Sequence, residues 1–172
     1  MEKYQTLSLR FWALVLDGIL LLPLEIVDET TRDADISPNF KVAALIVINL
    51  ASTLYFISMH GFCGQTVGKM LMKVKVLSLN EKPLRFYQAI LRDTPQILFT
   101  ISSFIFLRSI FVNSEQTEIT PQEFFSNPLM IVMAIWGLAD ILTVFFNVKR
   151  RALHDYVAGS VVVKIENAQQ AQ

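Results

Sequence analysis

The sequence predicts an all-α membrane protein with four transmembrane helices and a short β-prone excursion on the cytoplasmic side. Hydrophobic residues make up 53% of the 172-residue chain, and charged residues make up only 17%. Several stretches are apolar on every helix face for about the length of a bilayer crossing, whereas the helices of a soluble protein would be amphipathic. The basic residues also cluster in the segments that such a fold places on one side of the membrane.

The first predicted span, residues 9–27, has the carboxylate of Asp17 in its middle. A lone charge at the centre of a transmembrane helix costs roughly 2.5 to 3.5 kcal/mol on insertion scales, so this carboxylate needs a partner, water or a proton. Arg10 lies two turns earlier on the same side of the helix, too far away for a tight local pair. Asp17 is therefore either a cation- or proton-binding group or a structural group that fixes helix packing. The acidic, turn-rich segment 28–39 is predicted to be a solvent loop.

Three further predicted spans also contain polar side chains. These spans are residues 42–60, 94–112 and 128–146. Their polar members are Asn49 and Thr53 in the second span, Gln96 and Thr100 in the third, and Asp140 in the fourth. Gln96 and Thr100 share a helix face with Asp93, and lipid would reject such a face, so we expect it to point to protein or water. A polar loop at 113–127 joins the last two spans.

The excursion between the second and third spans, residues 61–89, is rich in lysine. Within it, residues 72–79 alternate in polarity as a strand does. The closing segment 159–166 is also β-prone, so we expect the two segments to pair outside the bilayer. The glycines of segment 64–69 are expected to turn the chain at the membrane surface, with Lys69 near anionic headgroups.

The basic residues set the predicted orientation, because cytoplasmic loops retain Lys and Arg. With both termini in the cytoplasm, all of the basic residues except Arg32, Lys41 and Arg108 lie at the inner side or at inner helix ends. This distribution predicts a multi-pass protein of the inner cell membrane. Residues 1–166 form one transmembrane domain, and the polar tail 167–172 is predicted to be disordered.

The charge balance and the cysteine content exclude several function classes. Fifteen basic and fifteen acidic residues give no net charge, so no bias favours nucleic acid as a partner. The single Cys63 cannot form an intrachain disulfide, and no Cys or His cluster has metal-ligand spacing. No Ser-His-Asp arrangement or catalytic Cys emerges. We therefore expect no metal, no cofactor and no enzymatic activity.

Several short motifs together resemble the RDD family of small membrane proteins, over most of the chain. The motifs are Arg10, Asp17-Gly18, the segment Gly64-Gln65-Thr66-Val67-Gly68-Lys69, Arg92, and Arg151-Ala152-Leu153-His154-Asp155 followed by Gly159-Ser160-Val161-Val162-Val163. The family is named for one arginine and two aspartates, which Arg10, Asp17 and Asp155 match best by position. The family often has a second acidic residue where this chain has Gly18, and often has Thr where this chain has Ser160. The resemblance implies a multi-pass protein, and the sodium/proton antiport attributed to some relatives implies transport of small ions or solutes.

Two groups of polar residues are candidate sites. Asp17 and Asp140 lie at matching depth from the inner helix ends, where the neutral donors Asn49, Thr53, Gln96 and Thr100 would complete a site for a monovalent cation or a shared proton. Alternatively, each carboxylate is satisfied separately.

The second group lies just inside the membrane. It contains Arg150, Arg151, His154 and Asp155, and we expect Arg10, Arg92 and Asp93 to join it. His154 could sense pH near neutrality. In the plainer interpretation, Asp155 caps a helix or pairs with Arg10, Arg92 or Arg151 and locks the cytoplasmic helix ends together.

Two functions from different classes fit these patterns. The first is movement of a small cation or solute by sodium/proton exchange, with Asp17 and Asp140 as the embedded carboxylates. Four helices seldom enclose a pathway alone, so a homo-oligomer or a membrane-protein partner would be needed. The second is a scaffold or assembly factor that binds another membrane protein or anionic lipid. The sequence leaves open the ligand, the oligomeric state, the partner, and whether the two carboxylates meet.

Overall fold

Four long helices and a small sheet organise the chain in the computed structural model, which describes residues 2–108 and 128–165. The long helices are α1 (Leu7–Asp33), α2 (Pro38–Ser58), α5 (Thr94–Arg108) and α6 (Pro128–Phe145), and a π-helical turn, Met59–Cys63, extends α2. Three short helices accompany them: α3 (Val67–Leu71), α4 (Phe86–Arg92) and α7 (Leu153–Val157). The predicted loop 113–127 and the predicted tail 167–172 lie outside the described residues.

Among the residues that the structure describes, two helical segments are long and apolar enough to cross a bilayer by length and composition, Glu2–Asp33 and Pro38–Cys63. The third and fourth predicted spans correspond to shorter apolar helices, Thr94–Phe106 and Ile131–Phe145. The helical class is therefore confirmed together with two candidate spans.

The burial pattern of α1 is the reverse of that in a soluble helix. Its buried residues are Ala13 and Asp17, whereas Phe11, Trp12 and Leu14 are more than half exposed. In water this arrangement would leave apolar surface unpaired and bury a charge, but in a bilayer lipid covers the apolar face and the protein receives the carboxylate. The helix surface therefore suits a hydrocarbon environment.

The prediction of a solvent loop at 28–39 is wrong in its first half, because α1 continues to Asp33. Arg32 forms an ion pair at 2.7 Å with Asp28, which lies one helical turn earlier in α1. The ammonium of Lys41, in α2, donates to the carbonyl of Arg32 at 2.6 Å and satisfies an acceptor at the end of α1. Local charge pairing and this capping contact extend the helix beyond its apolar stretch.

The long helices pack in sequence as an open row. The helix α1 packs on α2, α2 on α5, and α5 on α6, whereas the described residues of α1 and α6 contact each other only slightly. In the described ranges, no long helix packs closely against both the first and the last helix of the row.

The predicted pairing of the two β-prone segments is confirmed. Strand β1 (Val74–Ser78) runs antiparallel to β2 (Ser160–Lys164), with Val76 opposite Val162. Val74, Val76, Leu84, Ala89 and Val162 form a buried cluster between this sheet and α4. The pairing holds the C-terminal segment of the chain against the middle of the sequence, which brings α7 beside α4.

Candidate functional site

The carboxylate of Asp155 lies at the centre of a buried ion-pair network. Its Oδ2 accepts from Arg10 Nη1 at 2.8 Å, and its Oδ1 accepts from Arg92 Nη1 and from the Ser160 hydroxyl. Burial alone would raise the pKa of Asp155, but the charges of Arg92 and Arg10 outweigh it and hold that pKa well below its usual value. This network joins α1, α4 and α7, so the predicted pairing of Asp155 with Arg10 and Arg92 is confirmed.

The Arg151 side chain supports this network by binding backbone carbonyls. Its guanidinium donates to the carbonyls of Ser160 and Asp155, at 3.0 and 2.9 Å, and stacks on the ring of Tyr156. The Asp155 carboxylate also accepts from the backbone N–H of Ala152 and caps α7. These contacts fix the position of α7 against β2.

The Asp17 carboxylate binds neutral donors. Its Oδ1 accepts from the Tyr55 hydroxyl and from the backbone N–H of Gly68, both at 2.8 Å, and its Oδ2 accepts from the Thr66 hydroxyl at 2.5 Å. Only 2% of Asp17 is exposed. The side chain thus joins α1 to α2 and to the start of α3, as in the structural interpretation of this residue.

Asp140 pairs with His154. The imidazole Nδ1 of His154 lies 2.7 Å from Asp140 Oδ1, and the backbone N–H of His154 donates to the same oxygen at 3.0 Å. Arg92 Nη2 lies 3.0 Å from the other ring nitrogen, Nε2. Because a guanidinium only donates, Nε2 is the acceptor and Nδ1 carries the proton that it shares with Asp140. His154 therefore links Asp140 to the Asp155 network.

A second histidine forms a triad that the sequence did not predict. His60 Nδ1 lies 2.9 Å from Asp93 Oδ2, and Lys69 Nζ lies 2.5 Å from His60 Nε2. Asp93 follows Arg92 in the chain but pairs with this histidine. The membrane-surface role expected for Lys69 gave no hint of the contact, because nothing in the sequence indicates that segment 64–69 folds back onto the end of α2.

The neutral donors of the predicted cation site occupy two places. Thr53 and Thr100 form a 2.8 Å hydroxyl pair between α2 and α5, and the amide of Asn49 donates to the carbonyl of Leu45. The threonine pair therefore contributes to helix packing, whereas the Asn49 hydrogen bond lies within α2. Gln96 lies elsewhere, among the residues that line a cavity between α1 and α6.

Charged residues from each of these networks line a cavity of about 590 Å³. Its polar lining comprises Arg10, Asp17, His60, Lys69, Arg92, Asp93, Gln96, Asp140 and His154. Its apolar lining includes Leu7, Phe11, Leu14, Phe56, Ile141 and Val144. Asp17 and Asp140 thus line one cavity through separate hydrogen bonds. The volume has room for several water molecules or a hydrated cation.

A comparison with known families gives one assignment. A family model described as the RDD family matches residues 4–159. No curated protein and no solved structure matches the chain. The matched range contains Arg10, Asp17 and Asp155 and extends from the first helix to the start of β2. The chain therefore belongs to the RDD family.

Proposed function

We propose that this chain is a four-span protein of the inner cell membrane that exchanges a small monovalent cation for protons, with both termini in the cytoplasm and no enzymatic activity. The observation that carries the proposal is the shared cavity: Asp17 of α1 and Asp140 of α6 line it together with Gln96 of α5. Carboxylate and amide oxygens suit a hard cation, and buried carboxylates between helices are typical of ion and proton pathways.

The two carboxylates have different roles in this proposal. Asp17 already accepts three hydrogen bonds from α2 and the start of α3, so it shapes the cavity. Asp140 is only half-buried, and its side-chain partner is a neutral histidine. Releasing that side chain would free Oδ2 for a cation and leave Oδ1 with the single hydrogen bond from the His154 backbone N–H. Asp140 is therefore the exchanging carboxylate.

The first prediction concerns Asp140→Asn. In proteoliposomes of the purified protein, sodium-driven proton flux should fall to the level of empty liposomes, because the amide lacks the negative charge with which the carboxylate would hold a cation. The matched control is Glu25→Gln on the exposed face of α1, which should keep wild-type flux. Unchanged flux in folded Asp140→Asn would remove this residue from the mechanism.

The alternative function, a scaffold or assembly factor, is favoured by one observation. The Asp155 network ties three elements together, as a purely structural lock would. A scaffold should co-purify with a membrane-protein partner or anionic lipid and carry no flux. Asp140→Asn would then lower the yield of the complex, so the two functions give different results with the same variant.

The open row of helices supports the expectation of a second copy or another membrane protein. In the described residues α1 and α6 do not pack closely on each other, and both line the cavity. A homo-oligomer that places another copy against α1 and α6 would complete the pathway.

The proposed orientation leads to a second prediction, which uses the single cysteine. Cys63 is exposed at the end of α2, the end that faces the cytoplasm in this orientation. A membrane-impermeant maleimide should therefore label it in inside-out vesicles and leave it unlabelled in right-side-out vesicles. Cys63→Ser carrying Asp35→Cys, in the connection between α1 and α2, should show the opposite pattern. Labelling of Cys63 from the outer face would reverse the topology.

A further inference from the structure

Lys69 is a partly buried amine whose one hydrogen-bond partner within the described ranges is an imidazole nitrogen. Its Nζ lies 2.5 Å from His60 Nε2, and the opposite nitrogen of that ring lies 2.9 Å from Asp93. Because a carboxylate is an acceptor, His60 Nδ1 carries the proton toward Asp93, and Nε2 presents its lone pair to Lys69. The amine is thus positioned by a neutral ring and opens onto the cavity.

The charges around Lys69 disfavour a permanent ammonium. Within residues 2–108 and 128–165, no carboxylate lies within ion-pair distance of its Nζ. The charged and titratable groups that share its cavity are Arg10 and Asp17 from α1, His60 from the end of α2, Arg92 and Asp93 from α4 and its C-terminus, Asp140 from α6 and His154 from α7. The charge of Asp155, in α7, also acts on it. Burial first, and then the positive charge of Arg92, lower the pKa of Lys69 to about 7, against weaker opposition from Asp93 and Asp155.

We propose that the Lys69 amine is the group that takes up and releases the proton exchanged in this cavity. The inference rests on the proposed cation/proton exchange and assigns its proton carrier. When a cation enters, its charge favours the neutral amine. One N–H bond of the ammonium then breaks, the electron pair stays on Nζ, and the proton passes to water in the cavity. When the cation leaves, Nζ takes a proton from water. His60 positions the amine, and Asp93 fixes the tautomer of His60.

The proposal predicts that Lys69→Arg abolishes coupled flux. A guanidinium keeps its charge at every accessible pH, so it has no proton to exchange. We expect wild-type sodium-driven proton flux to peak near neutral pH, where both forms of the amine are populated, and Lys69→Arg to give no flux at any pH. Lys69→Met, which removes the amine, should also give none while remaining folded. The matched control is Lys73→Arg, at an exposed lysine four residues further along the chain, in the turn between α3 and β1.

A second measurement follows the protonation state of the Lys69 amine without a transport assay. Acetic anhydride reacts with neutral amines, so its rate at Lys69, followed by peptide mass spectrometry of the purified protein across pH, reports the protonation state. We expect half-maximal labelling of Lys69 near pH 7, well below the ordinary lysine value of about 10.4. Suppose that the wild type carries flux. Either half-maximal labelling of Lys69 at the ordinary lysine value or unchanged flux in Lys69→Arg would then overturn the assignment of the proton carrier but not the proposed exchange. No flux in the folded wild type overturns the proposed exchange and the carrier with it.

Discussion

Asp155→Asn is expected to lower the free energy of unfolding by about 3–5 kcal/mol, the range found when one partner of a buried ion pair is removed. The substitution keeps the size of the side chain but leaves Arg10 and Arg92 buried with no carboxylate between them. Within the described part of the chain, Arg10 Nη2 has no hydrogen-bond partner and Arg10 Nε donates to the neutral hydroxyl of Thr6 at 3.0 Å, so no second carboxylate replaces Asp155. Denaturant unfolding of the purified protein in detergent measures the loss.

The control for this variant is Asp35→Asn, at an exposed carboxylate. It should change the free energy of unfolding by less than about 0.5 kcal/mol. A loss below about 1 kcal/mol for Asp155→Asn would contradict the account, because it would place Asp155 in a solvated site where an ion pair contributes little.

The pH dependence of the wild type follows from the same ion pairs. The folded-state pKa of Asp155 is depressed, so its contribution is fully present above the unfolded-state pKa of about 3.9. As the pH falls below that value the unfolded chain binds a proton first, and this contribution is progressively lost. Asp155→Asn should lack this part of the acid sensitivity, and an identical acid profile for both proteins would argue against the network.

Gly68→Ala is the second substitution with a large expected effect, about 3 kcal/mol of lost stability. An added Cβ would lie 2.1 Å from the backbone oxygen of Ala13 and 2.9 Å from Cγ of Asp17. A backbone oxygen inside α1 cannot rotate away as the end of a flexible side chain can. The short helix α3 must therefore move off α1, and the hydrogen bond from the Gly68 N–H to Asp17 is lost.

A second glycine provides the matched control. Gly137 lies inside α6 with nothing within 4 Å of an added Cβ. Gly137→Ala should stabilise the protein by about 0.5–1 kcal/mol, because alanine is the better helix former. Thermal unfolding of both variants in the same detergent tests the pair, and equal effects of the two substitutions would show that α3 does not pack against α1.

The features predicted from sequence are those set by local pattern. The apolar stretches place the helices, and the alternation in 72–79 and 159–166 predicts two strands that do pair. The charge argument for Asp155 also succeeds, because a buried carboxylate near arginines has few other solutions. The helical extension of α1 to Asp33 was missed because it depends on the contact of Lys41 with a carbonyl of α1.

The features missed at the site depend on how distant segments meet. The amino-acid sequence does not indicate that Gly68 donates to Asp17 or that Lys69 contacts His60. Both contacts require α3 to dock between α1 and the end of α2. Thr53 and Thr100 were grouped with the carboxylates by helical spacing alone. They meet each other, because helix spacing gives the face of a residue and not its depth or neighbour.

The central claim is that the charged cavity between α1 and α6 exchanges a monovalent cation for protons. Its most direct test is the internal pH of liposomes that contain only the purified wild-type protein, followed after an outward sodium gradient is imposed. We expect protons to enter as sodium leaves, in proportion to the protein reconstituted, and the signal to vanish with Asp140→Asn. An internal pH that stays constant in the presence of folded wild-type protein would contradict the claim.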